Sequence, residues 1–187
     1  MKYAMIFPGQ GAQRPGMGKD IYDRYVSAKR IFDEADEALG FSLSDIIFNG
    51  TPEELAHTKI TQPAILTVSV AMLRALEQEL GTAVEPACMA GHSLGEYTAL
   101  VAAGSLSLTD GVRLVHKRGG LMQDAVPLGM GSMAAIIGIE LSDVSAICAE
   151  AAQGEVCQAA NINSPTQIVI SGHAGAVARA VALIEQK

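Results

Sequence analysis

At 187 residues and 49% hydrophobic, the chain can bury the core of one ordinary domain, or of one and a half small ones. With no Trp and 4% aromatics, that core must be built from Ala, Val, Ile, Leu and Met. A net charge of −7 and a pI of about 5.0 exclude the clustered basic surface that nucleic-acid binding requires. No apolar stretch approaches membrane-spanning length and no signal peptide precedes the first strand, so a soluble, cytoplasmic protein without membrane contact is expected. The cysteines, Cys88, Cys148 and Cys157, are odd in number and lack C-x-x-C spacing. They suggest neither a disulfide framework nor a metal site.

The apolar run Lys2 to Phe7 ends at Pro8-Gly9 and reads as a first buried strand. Gly9 to Gly18 is too rich in glycine for regular structure and reads as a loop at the end of that strand. Val26 to Leu39 carries apolar residues at helical spacing (Ile31, Phe32, Ala35, Ala38, Leu39). Thr51 and Pro52 mark the cap and first position of a short helix. Pro63 to Leu80 reads as a largely buried helix around Ile65, Val68, Met72, Leu73 and Leu76. Ala87 to Ala90 is a short strand running into Gly91-His92-Ser93-Leu94-Gly95-Glu96, and Tyr97 to Ala103 and Leu108 to Ala125 read as helices. The alternation predicts an α/β fold, with a mostly parallel sheet and helices on both its faces.

The pattern changes near Pro127. Strand (Ser132 to Ile139), helix (Ser142 to Ala152), strand (Val156 to Asn161), strand (Gln167 to Ser171) and helix (Ala174 to Glu185) follow. This β-α-β-β-α order is that of a ferredoxin-like, split βαβ unit without its last strand. Two domains are therefore expected, 1–127 and 128–187. The open sheet position suggests a fragment, or a unit completed by another segment.

Gly91-His92-Ser93-Leu94-Gly95 is a G-x-S-x-G pentapeptide between a predicted strand and a predicted helix, the setting of a nucleophile elbow. There the tight turn lifts the serine hydroxyl clear of the sheet. The following helix directs its positive end to the same place, and the Leu94 N–H can donate to a developing oxyanion. The competing reading makes Ser93 an ordinary N-cap, with Glu96 completing a capping box. Phe7-Pro8-Gly9-Gln10-Gly11-Ala12-Gln13 lacks the Lys-Ser/Thr of a phosphate-binding loop. A backbone N–H near Gln10 could serve as a second oxyanion donor, because loops at the carboxyl ends of parallel strands share one crevice. A plain surface loop is the alternative. Arg118 borders the apolar face formed by Val112, Val115, Gly119 and Met122. It is either a snorkelling edge residue or a half-buried cation in need of an anion.

FPGQGAQ near the N-terminus together with GHSLGEYTALVAAG around Ser93 resembles the acyltransferases of fatty-acid and polyketide synthesis. It looks closest to the stand-alone malonyl-CoA:acyl-carrier-protein transacylases among them. NINSPTQIVISGH, from Asn161 to His173, resembles a segment of that family's small subdomain. The resemblance implies that Ser93 takes a malonyl group from malonyl-CoA as an ester and passes it to the phosphopantetheine thiol of acyl carrier protein. It further implies an oxyanion hole from the backbone N–H groups of Gln10 and Leu94, and Arg118 as the site for the malonyl carboxylate. No cofactor beyond these thioesters is implied.

The family's catalytic histidine and a later glutamine match no position here, so low activity is expected. His92 is adjacent to Ser93 but points away along the turn, and His57, His116 and His173 offer no better base. Two other readings compete. A serine esterase or thioesterase of α/β-hydrolase type would use water as acceptor; a non-catalytic module would only bind carrier protein. Arg113, Lys117 and Arg118 share one helix and form a candidate basic patch for an acidic carrier protein.

Overall fold

The computed structural model describes residues 2–127 and 129–186. The chain divides into two compact units, Met1–Gln123 and Asp124–Lys187. The division falls a few residues before the sequence-based boundary at 127/128, whose residue Leu128 lies outside the described residues.

The first unit holds a parallel pair, β1 (Ala4–Phe7) and β2 (Cys88–Gly91), with Ala4 opposite Cys88 and Phe7 opposite Gly91. Between the two strands run α1 (Lys19–Arg24), α2 (Val26–Leu39), α3 (Leu43–Asn49), α4 (Pro52–Ala56) and α5 (Thr58–Leu80). After β2 come α6 (Leu94–Ala102) and α7 (Leu108–Asp124). The α/β expectation holds, as does the cap of α4. Thr51 Oγ1 accepts from the Glu54 N–H at 3.2 Å, and the Glu54 carboxylate accepts from the Thr51 N–H at 2.8 Å.

Two helices, α1 and α3, lie where no helix was expected. Both are short, and α1 has no fully buried residue to produce an apolar period. Helix α5 begins at Thr58, five residues before Pro63. The ring therefore sits in the second turn, where its missing N–H removes one helical bond. From Ile60 to Val68 this helix is buried on every side. Met72 and Leu76, expected in the core, are 58% and 46% exposed. They form one stripe with Leu80, spaced four residues apart, while Val70, Leu73 and Ala75 face inward. The core joins α5 to Phe32 and Ala35 of α2, Leu43 and Ile47 of α3, Leu94 of α6, and Val112 and Val115 of α7. Burying each such large apolar side chain contributes about 1.5–3 kcal/mol.

The second unit holds β3 (Gly131–Ile137), α8 (Leu141–Ala152), β4 (Cys157–Ser164), β5 (Gln167–His173) and α9 (Ala174–Ile184). Its antiparallel sheet has the order β3-β5-β4, so the strand made last lies between the other two. That order is compatible with the ferredoxin-like reading. Ile136, Ile168 and Ile170 of the sheet pack against Val144 and Ile147 of α8 and Val177 of α9. Cys148 and Cys157 are buried here as free thiols. Burial and a hydrogen bond with Cys157 push the Cys148 thiol up to about 12, so it behaves as a small apolar residue.

Candidate active site

Strand β2 ends at Gly91 and α6 starts at Leu94, so His92 and Ser93 make the whole turn. The backbone of Ser93 has φ 54 and ψ −101, a conformation that a side chain strongly disfavours. It costs about 1–3 kcal/mol and persists only where surrounding structure enforces it. The enforcement is visible in the glycines. A Cβ on Gly91 would lie 1.9 Å from the Gly95 carbonyl carbon, and one on Gly95 would lie 2.3 Å from the Phe7 oxygen. Strand, helix and neighbouring strand therefore meet backbone to backbone. The turn is closed by Gly95 N–H donating to His92 O at 2.9 Å and Glu96 N–H donating to Ser93 O at 3.2 Å.

The capping-box reading of Ser93 fails, because its side chain makes no cap hydrogen bond to α6. The hydroxyl turns the other way and accepts from Arg118 Nη2 at 3.0 Å. Leu94 supplies one of the first-turn N–H groups that a helix cannot satisfy internally, at the positive end of its dipole.

The loop after β1 crosses the elbow. A Cβ on Gly9 would lie 2.7 Å from His92 O and 3.0 Å from His92 Nδ1. The adjoining Gln10 is exposed and reaches Thr58 Oγ1 with its Nε2 at 3.4 Å. Gly11 N–H donates to Gln13 Oε1 at 2.8 Å, which folds the loop on itself. Gln10 and Leu94 thus stand on two backbone segments in direct contact.

Arg118 is half-buried on α7 and lies over the Tyr97 ring, 5.5 Å from its centroid. Its Nη1 donates to Gln62 Oε1 at 2.8 Å. Among the described residues it has no carboxylate partner. A half-buried guanidinium held by neutral acceptors next to a serine hydroxyl is suited to receive an anion. The snorkelling alternative does not describe this side chain, whose head points inward.

Gln62 was missed by sequence reasoning. It is 1% exposed, and the signal available was a lone amide inside the apolar run of α5. The basic helix face is also partly committed: Arg113 Nε donates to Ala38 O at 2.9 Å, while Lys117 is exposed. His57 caps α5 at the surface. His116 packs on Phe41 at 5.7 Å, and burial with the nearby Lys59 charge lowers its pKa. His173, in the other unit, accepts from the Val156 N–H at 3.0 Å. Among the described residues no His, Cys, Asp and Glu cluster could hold a metal ion, and no helix is long and apolar enough to cross a membrane.

The family profile described as acyl transferase domain matches residues 4–187. The chain belongs to the acyl transferase domain family. This acyl transferase domain is 51% identical over 179 residues to the malonyl CoA-acyl carrier protein transacylase of Escherichia coli (strain K12). The match covers 96% of this chain and 57% of that protein. In structure it is similar to the malonyl CoA-acyl carrier protein transacylase of Coxiella burnetii, with a TM-score of 0.93 and 45% identity over 100% of this chain and 58% of the other. A malonyl-transacylase in complex with a type II PKS acyl-carrier protein superposes with a TM-score of 0.92 at 45% identity, covering 100% of this chain and 60% of that one. The acyl transferase domain thus spans a little under three fifths of the length of the relatives it matches.

Proposed function

We propose that this chain carries the nucleophile and the carboxylate-binding group of a malonyl-transfer site that serves fatty-acid biosynthesis in the cytoplasm. Ser93 Oγ attacks the thioester carbonyl of malonyl-CoA. The Oγ–acyl bond forms, the C–S bond breaks, and CoA leaves as its thiol after taking up the serine proton. The phosphopantetheine thiol of acyl carrier protein then attacks the ester and regenerates the Ser93 hydroxyl. The backbone N–H groups of Gln10 and Leu94 hold the oxyanion of each tetrahedral intermediate, one such donor being worth about 100- to 1000-fold in rate. Arg118 takes the free malonyl carboxylate, and no metal or resident cofactor enters either step. Exposed Lys117, beside Arg118 in sequence, offers a contact for an acidic carrier protein.

The observation that carries this reading is the 3.0 Å contact between Arg118 Nη2 and Ser93 Oγ. It puts a carboxylate receptor within reach of an acyl group on the nucleophile. The 51% identity to a malonyl CoA-acyl carrier protein transacylase supports transfer to a carrier protein over hydrolysis. The test is intact-protein mass after incubation with malonyl-CoA or acetyl-CoA. A malonyl adduct absent from Ser93→Ala, with its preference over acetyl lost in Arg118→Ala, supports the proposal. An adduct that survives Ser93→Ala, or a preference indifferent to Arg118, refutes it. A folded chain that forms no adduct with either thioester refutes acylation by the chain alone.

A further inference from the structure

Gln62 is buried at 1% exposure, yet both ends of its amide are engaged. Arg118 offers only donors, so the amide oxygen must face it, and Arg118 Nη1 donates to Oε1 at 2.8 Å. The amide nitrogen is then turned toward Met122, where it donates to Sδ at 3.2 Å. A thioether can only accept, so the reverse orientation of the amide would lose both contacts. Arg118 and Met122 are four residues apart on α7 and lie on one helical face, so they bracket an amide that α5 supplies.

We propose that Gln62, held in orientation by Met122, is a positioning residue that fixes the guanidinium of Arg118. Anchoring Nη1 of a planar fork also sets Nη2, the atom that lies 3.0 Å from Ser93 Oγ. The relay Met122–Gln62–Arg118 therefore sets where the carboxylate of a Ser93-bound acyl group is received. It deepens the reading of Arg118 as the malonyl receptor and rests on it. Met122 is 48% exposed and has no proposed contact with substrate, so its effect must pass through Gln62.

The test reads Arg118 directly by NMR of the chain labelled with [15N]arginine, its signal assigned by Arg118→Lys. In the parent, hindered rotation of the guanidinium gives resolved, slowly exchanging Nη–H signals. Gln62→Leu keeps the volume but removes the acceptor, and should collapse those signals to the freely rotating average. Gln62→Glu retains an acceptor and should preserve them, and Met122→Leu should broaden them. A freely rotating Arg118 in the parent, or an equally restrained one in Gln62→Leu, overturns the proposal. Unchanged signals in Met122→Leu overturn the part assigned to Met122.

A second readout is the malonyl-to-acetyl ratio of Ser93 acylation within one preparation, which cancels any loss of folded protein. It should fall about 10- to 100-fold in Gln62→Leu, the scale of one hydrogen bond to a charged group. A ratio lost in Arg118→Ala but intact in Gln62→Leu overturns the positioning role alone. A ratio intact in Arg118→Ala, when NMR of the parent shows Arg118 restrained by Gln62, overturns the carboxylate reading instead.

Discussion

Replacing Ser93 by glycine and, separately, by alanine isolates the strain at the elbow. Both variants lose the hydroxyl and leave Arg118 Nη2 without that acceptor, so these effects cancel between them. Only alanine keeps a Cβ at φ 54 and ψ −101. That pair of angles is the mirror image of an ordinary extended conformation, which glycine adopts freely. The strain relieved is about 1–3 kcal/mol, against which glycine loses about 0.4–1 kcal/mol through the greater entropy of its unfolded chain. Ser93→Gly should therefore exceed Ser93→Ala by about 1.3 kcal/mol at mid-range and by at most about 2.6 kcal/mol. In a unit of this size the mid-range value is about 5 °C in Tm. Thermal unfolding followed by circular dichroism measures it, with urea titration as a check on cooperativity. A glycine variant no more stable than the alanine variant would show that the elbow stores no strain at Ser93.

The neighbouring glycines of α7 should respond with opposite signs to alanine. A Cβ on Gly119 would lie 2.6 Å from Thr58 O and 2.7 Å from Lys59 Cα, both rigid backbone, so Gly119→Ala should destabilise by about 1–3 kcal/mol in urea titration. A Cβ on Gly120 meets nothing within 4 Å, so Gly120→Ala should gain up to about 1 kcal/mol of helix propensity. His116 should also make stability pH-dependent. Its folded pKa is lowered by burial and by Lys59, so the unfolded chain binds more protons as pH falls below about 6.5, and stability falls with it. Between about pH 7.5 and pH 5.5, His116→Gln should lose less Tm than the parent; an equal or larger loss would place the titration elsewhere.

The sequence by itself determined the features that depend on near neighbours. The span Val26–Leu39 follows from its apolar period, and the cap of α4 needs only Thr51, Pro52 and Glu54. The elbow likewise follows from five adjacent residues, because glycine on both sides of Ser93 is a local requirement of the turn. Local pattern also suggested that Ser93 could cap α6, and there tertiary structure decided. The hydroxyl faces Arg118, which is 25 residues away, and Arg118 is anchored by Gln62, a further 56 residues distant along the chain. No period or motif encodes such a pair, since an arginine at the edge of an apolar face looks the same whether it reaches solvent or a buried amide. The exposure of Met72 and Leu76 has the same origin. Periodicity shows that α5 is apolar nearly all round, but which stripe is covered depends on where the other helices run.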